Sequence, residues 1–219
     1  MSTFDDASRN GAVGSSTEAA PDHTATAPRR GGEIVARRVG PGGRPAPVGE
    51  RTTTLAADNH LAAALLTLWQ RVSDADGAVG FEPGTPRSEI APAVTEAVNG
   101  LRAGTRHAVV LTAGNDLVGV GFLVRRPSKI QRHLGEVVSL MVDPDREREG
   151  LGRRLVVEIA ALAAEIGVDT LLLGARDREP LHAFYRSLGF VEYGRLPDAV
   201  RLADGTSFDE VRYRRVLAG

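Results

Sequence analysis

The sequence predicts an α/β fold built on one mixed sheet, and two patterns along the chain support this prediction. Two β-rich apolar runs, at residues 107–112 and 117–124, flank a short turn and are typical of an antiparallel hairpin. Further along, apolar runs at residues 137–142 and 168–173 flank an amphipathic helix. A strand, a helix and a second strand in this order form a βαβ unit with parallel strands and a right-handed crossover.

The composition narrows the class of protein. The chain has 219 residues, of which 42% are hydrophobic and 25% charged, and its formal net charge of -1 argues against nucleic-acid binding through bulk positive charge. It contains no cysteine, which excludes disulfides and cysteine-based zinc sites, and its five histidines lack metal-site spacing, so we expect no metal. No apolar stretch approaches the roughly 18 residues of a membrane span, and no secretory signal opens the chain, so we expect a cytoplasmic protein without membrane contact.

The N-terminal part of the chain differs in composition from the rest. Residues 1–50 are rich in Gly, Pro, Ser and Thr and hold few large apolar side chains, which predicts a mostly disordered tail. Residues 34–39 can add an edge strand. The folded domain is expected to span residues 51–219 and to begin with a short strand at residues 52–55 and a helix at residues 57–72, where leucines recur on one face.

The remaining elements follow from their boundary residues. Ser88 is the predicted N-cap of a second helix that runs to about residue 101, after a loop rich in glycine and proline. The helix of the βαβ unit has an apolar stripe from Leu151 to Ile166 and ends at Gly167. A helix at residues 180–188 and closing strands at residues 190–193 and 208–216 complete the order β-α-α-β-β-β-α-β-α-β-β.

The segment at residues 142–155 carries the most specific pattern. Gly150 and Gly152 allow the backbone to approach a ligand, and the unpaired N–H groups of the first helical turn form an anion site. Between residues 146 and 154, four arginines oppose two glutamates, which favours a polyanionic ligand such as a pyrophosphate.

Three alternatives compete for this loop. A Rossmann loop would have a small residue in place of Leu155 and a tighter turn after the strand. A P-loop needs a Gly-Lys-Ser/Thr sequence, and the only lysine, Lys129, lies elsewhere. A loop that merely connects the strand to the helix stays open as the third alternative.

Three motifs together resemble the GNAT N-acetyltransferases, over roughly residues 51–219. They are Val-Asp-Pro at residues 142–144, the Gly150-Leu151-Gly152 that opens the helix, and the segment Ala183-Phe184-Tyr185-Arg186-Ser187-Leu188-Gly189-Phe190. The resemblance implies a mostly antiparallel central sheet of six to seven strands with a parallel splayed pair and about four helices. It also implies that acetyl-CoA is the cosubstrate. The residues implied to bind it are Leu140, Met141 and Val142, through backbone groups along the pantetheine arm, and Arg148, Glu149, Gly150, Leu151, Gly152, Arg153 and Arg154, around the phosphates.

Three positions depart from the family pattern. Glu147 and Glu149 stand where the family usually has Gln or Arg and a basic residue. We expect both carboxylates to turn to solvent while neighbouring arginines supply the countercharge. Arg178 stands where the family's later helix often begins with asparagine, and we expect it to reach a phosphate instead.

The resemblance also implies two residues that move protons. Tyr185 lies where the family has its general acid, and a phenol of ordinary pKa, about 10, can protonate a departing thiolate. The alternative is a tyrosine that only packs with Leu181 and Leu188. Glu136 lies fourteen residues before the first motif glycine, like the glutamate base of the histone-acetylating branch of the family. The alternative is a solvated carboxylate at a strand end, and His133 is a second candidate base.

The function implied is an acetyl-CoA-dependent N-acetyltransferase that moves an acetyl group directly to the amine of a small molecule or peptide. Loop carboxylates are candidates to attract this amine: Asp74, Asp76, Glu82, Asp198, Asp204 and Asp209. A non-catalytic acyl-CoA-binding or regulatory module of the same fold is the first alternative, and a Rossmann-type nucleotide-binding domain is the second. Exposed edge strands in the final hairpin are compatible with a homodimer.

Overall fold

The computed structural model describes residues 33–39 and 59–217, which form one seven-stranded sheet with helices on both faces. The elements in chain order are β1 (Ile34–Val39), α1 (Asn59–Asp74), α2 (Arg87–Ala103), β2 (Arg106–Ala113), β3 (Asp116–Arg125), β4 (Leu134–Val142), α3 (Leu151–Glu165), β5 (Thr170–Arg176), α4 (Glu179–Ser187), β6 (Val191–Arg201) and β7 (Ser207–Val216). The strands lie side by side in the order β1-β2-β3-β4-β5-β7-β6. Within the described ranges, no helix is long and apolar enough to cross a membrane.

The predicted fold class is confirmed. Neighbouring strands run antiparallel except β4 and β5, which are parallel because α3 carries the chain back to the starting edge of β4. The described residues thus form a mixed, mostly antiparallel sheet of seven strands with one parallel pair and four α-helices.

The sheet separates two apolar cores, because successive side chains of a strand point to opposite faces. Helices α1 and α2 cover one face, where their leucines, isoleucine and valines pack against Phe122 of β3. Helices α3 and α4 cover the other face, where the stripe that includes Leu155 and Ile159 packs mainly against β2, β3 and β4. Each helix forms where the sequence supplies such a stripe.

The structure adds residues 34–39 to the folded domain. Strand β1 lies at the edge of the sheet, antiparallel to β2. Arg38 is buried, and its guanidinium donates to Glu165 and Glu158 of α3 at 2.6 and 3.3 Å. The rest of the predicted tail and the strand predicted at residues 52–55 lie outside the described residues.

Two local expectations need correction. The prediction of Ser88 as an N-cap is wrong, since α2 begins one residue earlier and its N-cap is Pro86, which makes no side-chain capping bond. A helix terminus tolerates proline because the first turn has no use for its missing N–H group. The strand predicted at residues 190–193 continues to Arg201, because β7 offers it an antiparallel partner along this length.

Candidate active site

A gap opens in the sheet between the two parallel strands. Strands β4 and β5 pair at three positions, and the last pair is Glu136 with Leu172. Beyond Glu136, β4 continues to Val142 with β3 as its neighbour on one side only. Backbone N–H and C=O groups that would have paired with β5 therefore face the gap, where an extended ligand carrying amide groups can pair with them.

A β-bulge lies in β4 at the edge of this gap. Phe122 of β3 pairs with Val138, whereas Val120, two residues earlier, pairs with Met141, so β4 holds one extra residue. Ser139 has a φ of 49°, in the left-handed region that non-glycine residues seldom adopt. The bulge turns the backbone of residues 139–141 relative to a regular strand. The sequence does not reveal this bulge, because the run from Val137 to Met141 contains no glycine.

The N-terminus of α3 faces the same gap. Gly150 is its N-cap with a φ of 77°, and no side chain caps the helix. The first backbone bond of the helix runs from the N–H of Arg154 to the carbonyl of Gly150, at 3.0 Å. The N–H groups of Leu151, Gly152 and Arg153 precede this bond, have no acceptor within the helix, and are available to an anion.

Gly152 has a second role, because the absence of a side chain there leaves room for the ring of Phe184. A Cβ atom at this position would lie 3.2 Å from Cζ of Phe184 on α4. The missing side chain therefore lets α4 pack against the first turn of α3 as well as leaving room for a ligand. This contact brings α4, which carries Tyr185, to the wall of the gap.

Several charged side chains lie in the loop between β4 and α3, and Arg146 is the most buried of its arginines. Its guanidinium is largely buried and donates from Nε and Nη2 to Oε2 of Glu149, at 3.0 and 2.8 Å. Glu149 is thus paired, and both Glu147 and Glu149 are exposed, although Glu147 also lines the cleft. Arg148 and Arg153 line the cleft, and Arg153 donates to the hydroxyl of Ser187 at 3.1 Å.

Three residues predicted to lie around the phosphates do not line the cleft: Glu149, which pairs with Arg146, and Arg154 and Arg178. Arg154 donates to the carbonyl of Ile34 on β1 at 2.8 Å and does not line the cleft. Arg178 donates to Asp76 at 2.7 Å and lies over the ring of Phe208, also outside the cleft lining. Asp76 holds this guanidinium on the side of the sheet that carries the α1–α2 loop, which explains the difference from the predicted phosphate contact.

Tyr185 is 8% exposed and lines the cleft from α4. Its ring contacts those of Phe184, Phe190 and Tyr213, with centroids 5.1, 5.8 and 5.5 Å away. Burial, the larger cause, and the neighbouring Tyr213 raise the pKa of Tyr185 to about 12. The phenol therefore stays protonated at any physiological pH, as a proton donor requires.

Glu136 lines the cleft at the point where the two strands separate. Its carboxylate is about one-third exposed and lies 3.9 Å from Arg126 and 3.7 Å from Arg212. His133, the other candidate base, does not line the cleft. Within residues 33–39 and 59–217, no group of three or more acidic, histidine or cysteine side chains is arranged to hold a metal.

The cleft has a volume of about 850 Å³ and passes through the gap from one face of the sheet to the other. On the face of α3 and α4 it is lined by the first turn of α3 and by Tyr185. On the face of α1 and α2 it reaches the loop at residues 77–80, Glu136, Glu210 and Arg212. Glu210 and Arg212 were not predicted as site residues, because the alternation of β7 alone does not relate them to the gap.

The loop carboxylates predicted to attract the acceptor have structural partners instead. Asp74 accepts from the N–H of Gly84 at 3.0 Å, and Glu82 accepts from the N–H of Ala203 at 2.9 Å. Hydrogen bonds from Arg178, the larger influence, and from Arg176 lower the pKa of Asp76. None of these three carboxylates lines the cleft.

Comparisons with known proteins agree with this geometry. Residues 104–192 match a family model described as an acetyltransferase (GNAT) domain. A GNAT-family acetyltransferase from Streptococcus pneumoniae superposes with a TM-score of 0.63 at 16% identity, over 84% of this chain and 100% of that one. A ribosomal-protein-alanine N-acetyltransferase from Brucella melitensis gives 0.58 at 23% identity, over 71% and 94%. A phosphinothricin acetyltransferase from Sinorhizobium meliloti, solved in complex with acetyl-CoA, gives 0.58 at 19% identity, over 72% and 83%.

No curated protein matches the sequence. The solved structures share the fold with this chain, at identities that do not transfer a substrate. The matched residues 104–192 contain both parallel strands, the α3 loop and Tyr185. The resemblance predicted from the sequence is confirmed over residues 104–192, which match the GNAT acetyltransferase domain model.

Proposed function

We propose that the protein is an acetyl-CoA-dependent N-acetyltransferase that acts on the amine of a small molecule or peptide. The observation that carries the proposal is the gap between β4 and β5, which joins the free N–H groups of α3, Tyr185 and Glu136 in one cleft. A loop that merely connected β4 to α3 would need no such cleft beside it.

The residues present fit acetyl-CoA. Those backbone groups of Leu140, Met141 and Val142 that face the gap instead of β3 suit the amides of the pantetheine arm, since an extended chain can add to a free strand edge. Unpaired N–H groups at the start of α3 suit the pyrophosphate, and the guanidiniums of Arg148 and Arg153 add countercharge.

The acetyl thioester supplies the activated acyl group. In the proposed reaction, Glu136 accepts a proton from the amine, directly or through water, and the amine nitrogen then attacks the carbonyl carbon. Backbone N–H groups at the bulge of β4 stabilise the carbonyl oxygen as it gains charge. As the C–S bond breaks, Tyr185 donates its hydroxyl proton to the sulfur, and the second proton that the attacking nitrogen loses as the amide forms restores the phenol through water. Because the sequence contains no cysteine, the transfer does not pass through an acyl-enzyme on a cysteine thiol.

Two measurements test this proposal. Calorimetric titration with coenzyme A should show saturable binding, and release of the CoA thiol from acetyl-CoA should depend on an added amine across a panel of primary amines and N-terminal peptides. Binding without turnover over the whole panel would favour a non-catalytic acyl-CoA-binding module. Absence of binding would overturn the proposal.

A further inference from the structure

We infer that Glu210 binds the ammonium group of the acceptor and that the acceptor is a primary amine carrying positive charge at neutral pH. This inference rests on the proposed function, because it assigns a substrate class to the same cleft. Glu210 lies on β7, outside every motif that the sequence singled out, and the structure brings its carboxylate into the cleft lining.

The register of the strands places Glu210 beside the open part of the gap. Strand pairing between β4 and β5 ends at Leu172, and Gly174 lies two residues further along β5. Gly174 is exposed, and a Cβ atom there would lie 2.9 Å from Cδ of Glu210. The Glu210 carboxylate therefore packs against the β5 backbone at Gly174, where no side chain intervenes. This position lies in the part of the gap where β4 and β5 no longer pair, whereas Glu136 belongs to the last pair of the two strands.

Glu210 and Tyr185 approach the gap from opposite faces of the sheet. Val211 and Tyr213 point into the core under α4, where Tyr213 contacts Tyr185. Glu210 and Arg212 alternate with them and point to the other face. An amine held at Glu210 would thus reach the gap from the side opposite to the proton donor of the leaving thiol.

The charges at this end of the cleft favour a cation. The carboxylates of Glu136 and Glu210 both line the cleft, and Arg212 is the guanidinium that lines the cleft beside them, whereas Arg126, 3.9 Å from Glu136, lies outside the lining. Arg212 contacts Glu210 through Nε and lies 3.7 Å from Glu136. Two carboxylates facing one guanidinium attract an ammonium ion and disfavour an acceptor that presents a carboxylate to Glu210.

The first test compares two aromatic probes at neutral pH: 2-phenylethylamine, which is cationic, and aniline, which is neutral. Glu210→Gln should raise the KM for 2-phenylethylamine about tenfold, the size expected for one lost charge-assisted hydrogen bond, and leave the KM for aniline unchanged. The affinity for coenzyme A should not change, which shows that the variant is folded. Glu96→Gln, at an exposed carboxylate of α2 outside the cleft, is the matched control.

The second test displaces the carboxylate without removing its charge. Gly174→Ala places a methyl group where Glu210 now lies, so the KM for 2-phenylethylamine should rise as it does in Glu210→Gln, with the same affinity for coenzyme A. An unchanged KM in both variants, or wild-type preference for aniline, would overturn the inference while transfer itself supports the proposed function. Failure of the wild-type protein to acetylate any amine would instead overturn the proposed function, and the inference with it.

Discussion

The guanidinium of Arg71, on α1, donates to the buried carboxylate of Asp143 at 2.7 Å and to Asp145 at 2.8 Å. Asp143 also accepts from the backbone N–H of Asp145 at 3.0 Å. A single side chain of α1 therefore fixes the start of the loop that leads from β4 to α3. This contact fixes the position of α1, which lies at one end of the cleft, relative to the β4–α3 loop, which lies at the other end.

Replacing Arg71 should weaken both the fold and the ligand site. Arg71→Met leaves the Asp143 carboxylate buried without its cation, and we expect a loss of about 2 kcal/mol in the free energy of unfolding. Denaturant unfolding measures this loss, and calorimetry with coenzyme A should show weaker binding. Glu179→Gln, which removes an ion pair whose partners are both well exposed, should cost far less. Equal losses in the two variants would contradict this role of Arg71.

Gly152 should tolerate no branched side chain. Gly152→Val places a side chain against the Phe184 ring and in front of the free N–H groups, so the affinity for coenzyme A should fall about tenfold or more. Gly194→Ala is the control, since a Cβ atom on this β6 residue would meet no atom within 4 Å. Calorimetric titration of both variants decides the question, and unchanged affinity in Gly152→Val would show that the ligand lies elsewhere.

Removal of the Tyr185 hydroxyl should slow the chemical step. Tyr185→Phe keeps the ring contacts of the core, so stability and coenzyme A affinity should stay near those of the wild type. Loss of the proton donor should lower kcat about 100-fold. Tyr193→Phe, at an exposed tyrosine of β6, controls for the substitution itself. Steady-state kinetics that give an unchanged kcat would remove Tyr185 from the mechanism.

The pKa of Tyr185 predicts a pH profile without an early alkaline decline. A phenol of ordinary pKa, about 10, would be half ionised at that pH, whereas Tyr185 titrates at about 12 and stays protonated there. The kcat should therefore hold its plateau through pH 10. Because the folded-state pKa is raised, the stability that the buried neutral phenol contributes is present below pH 10 and is lost as the pH rises towards 12. A fall in kcat centred at pH 10 in a folded sample would contradict this assignment.

Much of the fold follows from local pattern. The spacing of leucines predicted α1, and the stripe from Leu151 onwards predicted α3, because a helix must bury one face against a sheet. The glycine pair predicted the uncapped N-terminus of α3. In the structure, Gly150 adopts a positive φ there and no side chain caps the helix. These features depend on residues that lie close together in the sequence.

Features that depend on distant pairing could not be predicted in this way. The bulge at Ser139 arises from the register between β4 and β3, and the partner of Arg178 is Asp76, on another element. Glu210 belongs to a strand that the sequence predicted, yet its relation to the gap depends on the absence of a side chain at Gly174, on the neighbouring strand. Alternation along one strand does not contain this information.

The passage of the cleft through the sheet has a kinetic consequence for the proposed reaction. We expect the coenzyme to enter beside the start of α3 and the acceptor to enter beside Glu210, since these two parts of the cleft lie on opposite faces of the sheet. Neither ligand then has to wait for the other to enter, and the acetylated product can depart while spent coenzyme still occupies its own side. An inhibitor that fills only the acceptor part of the cleft should leave the exchange of coenzyme unaffected. Inhibition of acceptor binding and inhibition of coenzyme binding can then be separated in this domain.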